Sequence, residues 1–320
     1  MDSNQQPLKK GVSVIVCCYN SSNKLLRTLK HLAAQCKIPG LEYELIIVDN
    51  NCTDDSVELA KHTWHQLSTP FTQKIITQKK AGLNFARQAG ISSALYTIVV
   101  FCDDDNWLCE HYLKTVFSLF EKMPSVGIIG GVGEAVSDVP LPAWFDAVKG
   151  FGYAVGTEGR HTGYTTSVYG AGMALRRDLF NKLISNNNIV LSDRKGEGLS
   201  SGGDSEISKR FSDAGYGIYL DETLTFKHFL SASRLQWPYY LSLRKSFGKA
   251  NAQLYGHQIG LAKMNKISAV LSLIKFSFRH TKYWCFPSFF KVEACAAFVQ
   301  QYHLRKALLM TSNKPGSPTS

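Results

Sequence analysis

From Val12 to Tyr19 the chain reads VSVIVCCY, almost without a polar side chain, and then breaks into the polar run Asn20 to Asn23. A short apolar run bounded by turn residues predicts a strand. The polar break supplies N-cap side chains for a helix whose apolar stripe is Leu25, Leu26, Leu29 and Leu32. The same alternation continues. A second strand is expected over Tyr43 to Val48, a polar turn through Asp49, Asn50, Asn51 and Thr53, and a helix near Asp54 to Leu67. A third strand near Lys74 to Thr77, a helix near Leu83 to Ala94 and a fourth strand at Thr97 to Phe101 follow. Strands alternating with helical patterns predict βαβ units, and so an α/β fold with a mostly parallel central sheet flanked by helices.

The second half is less regular. It holds an apolar, Gly-rich run from Val126 to Val136, a Pro/Trp loop at Pro140 to Phe145, and a segment Tyr169 to Phe180 that leads into a helix. A Gly/Ser-rich stretch, Gly196 to Gly203, precedes a helix expected over Asp204 to Ala214, with short strands near Ile218 to Leu220 and Leu224 to Phe229. That glycine density predicts a mobile loop over a site. From Trp237 the character turns aromatic and basic, with Lys263, Lys266, Lys275, Arg279, Lys282 and Lys291 against the single acid Glu293. At helical spacing Ile267, Val270, Leu271, Ile274 and Phe278 share one face, while Lys275, Arg279 and Lys282 lie toward the other. The expected organisation is a flexible start at 1–10, a catalytic domain at 11–236 with halves at about 11–107 and 108–236, a basic amphipathic helical extension at 237–311, and a disordered tail at 312–320.

Composition adds two constraints. The 320 residues carry a formal net charge of +11, which favours an anionic partner such as a phosphorylated small molecule, a nucleic acid or an anionic lipid surface. The eight cysteines form no CxxC pair and no zinc spacing, and several sit inside apolar runs as free thiols do in a reducing compartment. The polar start lacks the apolar core of a signal peptide, and no window is long and apolar enough to span a bilayer. A cytoplasmic location, or a peripheral one on the cytosolic face of a membrane, is expected.

Candidate chemistry gathers at strand ends. Ligands of open α/β sheets bind outside the carboxyl ends of the strands, which places Tyr19, Asp49 and Asp103 on one crevice. Asp103, Asp104 and Asp105 follow a wholly apolar strand. They offer the oxygens a divalent cation takes when a diphosphate must be neutralised, although an acidic turn capping the next helix uses the same residues. Asp49 is either a base-recognising acceptor or an Asx-turn residue. Arg87 can reach a diphosphate from its helix or remain on the surface. Asp204 and Glu206, after the Gly-rich stretch, are candidates for deprotonating an acceptor hydroxyl, and both also suit the first turn of a helix. His228 is a candidate late metal ligand or a structural histidine.

The run VSVIVCCYN, then YELIIVDNNCTDDS, AGLNFARQAG and IVVFCDDDNWL, resembles the nucleotide-binding half of family 2 glycosyltransferases of the GT-A fold. SGGDSEISKRFSDAGYGIYLDETLTFKH resembles the acceptor-side motif of that family, so the resemblance covers roughly residues 11 to 245. It implies inverting transfer of a sugar from a nucleotide-sugar donor to a glycan or lipid-linked glycan acceptor, of the kind used in bacterial surface polysaccharide or glycoconjugate synthesis, with Mg2+ or Mn2+. It implies that Tyr19, Asp49, Arg87, Asp103 and Asp104 bind the nucleotide sugar, that Asp103, Asp105 and His228 hold the metal, and that Asp204 is the base. Gly170, Gly172 and Glu206 would face the acceptor. Asn50 stands where the family often has a second acid, and Gly203 precedes Asp204 where the family often has Glu. A sugar nucleotidylyltransferase would need a Gly-rich phosphate loop after the first strand, and CCYNSSN has none. An inactive basic scaffold on a membrane surface is the other alternative, and retention of Asp103, Asp105 and Asp204 argues against it. No nucleic-acid partner is expected.

Overall fold

The computed structural model describes residues 9–184, 202–255, 266–280 and 292–311. The Gly-rich stretch before Gly202, the tail from Ser312, and Lys263, Lys282 and Lys291 lie outside them. The chain forms two compact units, one drawn from Met1–Ser137, Tyr153–Ile189 and Gly203–Leu230, the other from Asp138–Gly152, Val190–Gly202 and Ser231–Ser320.

The first unit is built on one sheet. Strands β1 (Lys9–Cys18), β2 (Glu42–Asp49), β3 (Thr72–Thr77) and β4 (Tyr96–Asp103) pair in the order β3-β2-β1-β4, all parallel, with helices α1 (Leu25–Ala33), α2 (Ser56–Gln66) and α3 (Leu83–Ser93) as crossovers. The apolar runs are continuous because both faces are covered. Val12, Val14 and Val16 join Leu45, Ile47, Ile98 and Val100 in a core with α1 and α2, while Ile15, Ile46, Val48, Val99 and Phe101 pack on the opposite face with α3. In α1, Leu25, Thr28, Leu29 and Leu32 are buried; Leu26, displaced by about 100° around the helix, is exposed, which narrows the expected stripe.

Beyond β4 the sheet becomes mixed. Strand β8 (Ala174–Arg176) runs antiparallel to β4 and to β6 (Val126–Val136), which pairs in parallel with β9 (Gly217–Phe229). The two short strands expected near 218–229 are one strand. Its register against β6 jumps from Gly130↔Leu220 to Val132↔Thr225, so residues 221–224 bulge out of the ladder. Strands β5 (Asn106–Leu108) and β7 (Gly163–Tyr164) add antiparallel to β9. Helix α4 (Tyr112–Lys122) inserts Tyr112, Leu113, Val116, Phe117 and Phe120 into the first core. Helices α5 (Arg177–Leu183) and α6 (Gly203–Asp213) add Leu179, Phe180, Ile207 and Phe211 to the second.

The second unit is helical, with α7 (Trp237–Tyr255), α8 (Lys266–Arg279) and α9 (Val292–Thr311). Trp144 from the Pro/Trp loop packs within 5.3 Å of Trp237 and 5.8 Å of Tyr240, ring centre to ring centre. Phe276 stacks on Phe298 at 5.5 Å. Among the described residues no helix is long and apolar enough to cross a membrane.

Candidate active site

Strand register assembles the site. Cys18 lies opposite Asp49 and Cys17 opposite Asp103, so the ends of β2, β1 and β4 stand side by side, with Tyr19 one residue beyond. Tyr19 is exposed and leaves a ring at that edge. Asp49 accepts the Cys52 N–H at 2.9 Å, an Asx turn that starts the loop into α2. The thiols of Cys18 and Cys102, beneath the acids, are pushed up well above their usual range, by burial first and by neighbouring carboxylates second, and stay protonated.

The three aspartates have different surroundings. Asp103 is the open one, its Oδ1 3.8 Å from Arg87 Nη2. Asp104 is buried and turned the other way: it accepts from the Ser21 hydroxyl, its Oδ1 is 2.7 Å from Lys24 Nζ, and its carbonyl accepts from Thr28 Oγ1 at 2.9 Å. Burial raises the Asp104 pKa and the Lys24 ammonium opposes the rise. Both of its oxygens are thus engaged by the loop after β1, which makes it an anchor of that loop. Asp105 is also buried, with Oδ2 3.4 Å from Lys24 Nζ and Oδ1 3.7 Å from His228 Nε2.

The histidine is oriented from behind. His228 sits opposite Asn106 in the β5/β9 ladder, and its Nδ1 lies 2.5 Å from the Tyr153 carbonyl oxygen. A carbonyl can only accept, so Nδ1 carries a proton, and Nε2 is the nitrogen turned toward the Asp105 carboxylate. An imidazole that has given up its Nε2 proton and a carboxylate at this distance suit a cation, and backbone anchoring of the remote nitrogen is how metal-binding histidines are held. The donor set therefore fits a hard or borderline divalent ion. Among the described residues, the one His/Cys/Asp/Glu group with three ligand atoms mutually within 4.8 Å is Cys36, Glu110 and His111; Asp103 is drawn instead toward Arg87.

Arg87 links the acids to the other side of the crevice. It is buried on α3, with its guanidinium 4.9 Å from the centre of the Phe101 ring. A Cβ on Gly170 would stand 2.7 Å from Arg87 Nη2 and 3.2 Å from the Asp204 Cβ, so both side chains pack against this glycine. Asp204, in the first turn of α6, accepts the Gly170 N–H at 3.1 Å on one oxygen and the Ser205 N–H at 2.8 Å on the other. Asp103, Arg87, Gly170 and Asp204 thus form one continuous line of contacts.

Two expected acceptor-side residues are placed elsewhere. Gly172 has φ +72°, and the space its Cβ would fill belongs to the Tyr112 hydroxyl, which donates to the Gly172 carbonyl at 2.8 Å. The space beside it is thus part of the core packing. Glu206 is buried and paired with Arg210 at 2.7 Å within α6, which leaves Asp204 as the carboxylate at the helix start. The sequence gives no sign of the parts that Lys24 and Ser21 play at the acids, or of what Asn50 does in place of an acid. The buried Asn50 donates to the carbonyls of Gln78 and Lys80 at 2.8 and 2.9 Å and accepts the Gly82 N–H at 2.8 Å, pinning the turn that launches α3 and Arg87. A carboxylate could make only the last of these bonds, which explains the departure from an acidic pair.

The family model described as glycosyl transferase family 2 matches residues 13–184, just over half of the chain and all the candidate residues before Asp204. Glycosyltransferase AglE of Haloferax volcanii is 25% identical over 250 residues, which is 76% of this chain and 74% of that protein. Among solved structures, TarS of S. aureus superposes with a TM-score of 0.54 at 17% identity, over 95% of this chain and 53% of its own. GalNAc-T7, solved with UDP, GalNAc and Mn2+, gives a TM-score of 0.54 at 14% identity, over 78% of this chain and 51% of its own. The chain spans about half the length of these two structures, and the likeness to them identifies the GT-A fold.

Proposed function

The chain belongs to glycosyl transferase family 2, and we propose that it transfers a sugar, with inversion at the anomeric carbon, from a nucleoside diphosphate sugar to a hydroxyl of a glycan or lipid-linked glycan. The setting we assign is surface polysaccharide or glycoconjugate synthesis, on the cytosolic side of a membrane. What supports the reading is the facing pair Asp105 and His228, a donor set suited to a cation, together with Asp103 beside Arg87 and Gly170 between Arg87 and Asp204.

In this reading Tyr19 and Asp49 receive the nucleoside at the ends of β1 and β2. Asp103 would meet the ribose, and Arg87 the diphosphate. Asp105 and His228, with Asp103, would hold Mg2+ or Mn2+, which when bound offsets the charge that builds on the departing diphosphate. Asp204 has its two oxygens aimed by backbone N–H groups and takes the proton from the acceptor hydroxyl as that oxygen attacks. The neighbour solved with UDP and Mn2+ supports this choice of donor and ion, and the backbone anchoring of His228 Nδ1 supports it from within the chain.

The test is a screen of UDP-, GDP-, dTDP- and CMP-sugars with Mn2+ or Mg2+, run beside Asp105→Ala and Asp204→Asn. One donor should be turned over only with metal, and Asp105→Ala should abolish both turnover and metal binding. Asp204→Asn should keep donor affinity and lower kcat by about 10²- to 10⁴-fold, the usual contribution of a positioned base. If no donor is bound with either ion, the reading fails.

A further inference from the structure

Three side chains of different chemistry meet where β5 leaves the sheet. The Cys36 thiol, the Glu110 carboxylate and the His111 ring each offer a ligand atom, and these atoms all lie within 4.8 Å of one another. Cys36 follows α1, while Glu110 and His111 stand between β5 and α4, at the other end of β5 from Asp105. Cys36 is half-buried and unbridged, and Glu110 and His111 are exposed. Among the described residues, none of the three side chains is engaged in a hydrogen bond or an ion pair.

The two segments that carry them are already fixed on each other. The Cys36 N–H donates to the Glu110 carbonyl at 2.7 Å. Beside it, the buried Gln35 spans the same gap, its side chain donating to the Cys109 carbonyl at 2.8 Å and accepting the Leu113 N–H at 3.1 Å. The backbone that presents the ligands is therefore in place before an ion arrives, and binding has only to turn side chains.

The donor types say which ion. Zn2+ bound tetrahedrally takes Cys sulfur at about 2.3 Å and His nitrogen or carboxylate oxygen at about 2.0–2.2 Å, which sets its ligand atoms roughly 3.3–3.7 Å apart. The trio is wider than that by at most about 1–1.5 Å, which rotation of the exposed Glu110 and His111 side chains closes. A thiolate favours Zn2+ over Mg2+ and Mn2+, whose usual ligands are oxygens, so this group and the Asp105 and His228 pair suit different ions. An exposed carboxylate alone would mean little; a thiol and an imidazole brought to it from two separate segments make a recognisable donor set.

We propose that Cys36, Glu110 and His111 form a Zn2+ site, with water in the fourth position, that ties the end of α1 to the start of α4.

The experiment uses Co2+ as a spectroscopic substitute for Zn2+ in the reduced full chain carrying Asp105→Ala, which removes the proposed catalytic ion. Co2+ should produce thiolate-to-metal charge-transfer absorption that saturates at one equivalent, and Zn2+ but not Mg2+ should displace it. In the same background Cys36→Ser should abolish the absorption although the other cysteines remain. His111→Ala and Glu110→Gln should each weaken Zn2+ binding about tenfold or more, since loss of even an outer-shell partner has an effect of that size. Zn2+ should also raise the melting temperature of the Asp105→Ala chain, and Cys36→Ser should remove that gain. Absorption that survives Cys36→Ser, Co2+ bound without a thiolate band, or no binding of either ion would overturn the proposal. Should Cys36→Ser fail to fold, His111→Ala, at an exposed side chain, decides: Zn2+ bound with undiminished affinity would overturn it equally.

Discussion

Lys24 holds its ammonium 2.7 Å from Asp104 and 3.4 Å from Asp105, on the Asp105 oxygen that does not face His228. A positive charge at that position supplies part of what a divalent ion would supply, so lysine and ion compete for the same carboxylate. Lys24→Met should therefore raise the Mn2+ affinity of the donor-free protein, read by titration calorimetry, severalfold or more. It should also lower stability by about 1–3 kcal/mol, because the buried Asp104 loses the cation that offsets its desolvation. Unchanged or weaker Mn2+ binding would show that Lys24 only anchors the loop after β1. The sequence shows Lys24 as one more basic residue at a helix start. What brings it onto the acids is a pairing across some 80 positions, between the turn after β1 and the turn after β4, and no local pattern carries that information. The same reasoning separates the three aspartates. In sequence they are neighbours of one type; in the fold Asp103 is open, Asp104 is consumed by Ser21 and Lys24, and Asp105 faces His228.

At the scale of elements, the turn from Gln78 to Gly82 decides where α3 begins, and Asn50 holds that turn from three sides. Asn50→Asp would set a carboxylate against two carbonyl oxygens and remove both donors. The expected cost is about 2–4 kcal/mol in chemical denaturation. Because α3 carries Arg87, the variant that remains folded should show a raised KM for the donor with a smaller change in kcat; a KM unchanged beside a large stability loss would confine Asn50 to the fold. The elements around this turn are legible in the residue pattern alone. Strands β1, β2 and β4 are apolar runs closed by turn residues, and burial on both faces makes such runs plain, while β3 at the sheet edge is only partly buried. The elements beyond β4 are less so, for physical reasons. Strand β5 has three residues, too few for a period. Strand β9 contains a four-residue bulge that breaks its pattern into two apparent strands. Gly172 invites the reading of an open approach because a sequence cannot show that Tyr112 fills the space.

At the scale of the whole molecule, two kinds of knowledge meet at the crevice. The positions of Tyr19, Asp49 and Asp103 follow from the rule that parallel strands end at one edge, and the register of β1 with β2 and β4 satisfies it. The nearness of Arg87 to Asp204, and of Asp105 to His228, depends instead on β8 and β9 joining the sheet antiparallel and parallel at its far end, an arrangement no short stretch of sequence specifies. The proposed ligand set is thus contributed by segments more than 100 positions apart, and an ion bound there would tie them together only in the folded chain. A ligand that binds the native state alone stabilises it by mass action, by about 2.7 kcal/mol at a hundredfold excess over its Kd. Mn2+ added with a nucleoside diphosphate should therefore raise the melting temperature of the native protein, increasingly with concentration. His228→Ala should lose most of that gain, because it removes one donor of the set while leaving Asp103 and Asp105 in place. Asp204→Asn should keep the gain in full, since the proposed base contributes nothing to the ion. A melting temperature indifferent to Mn2+ in the native protein, or a gain that survives both His228→Ala and Asp105→Ala, would remove the divalent cation from this crevice and leave Asp105 to the Lys24 ammonium.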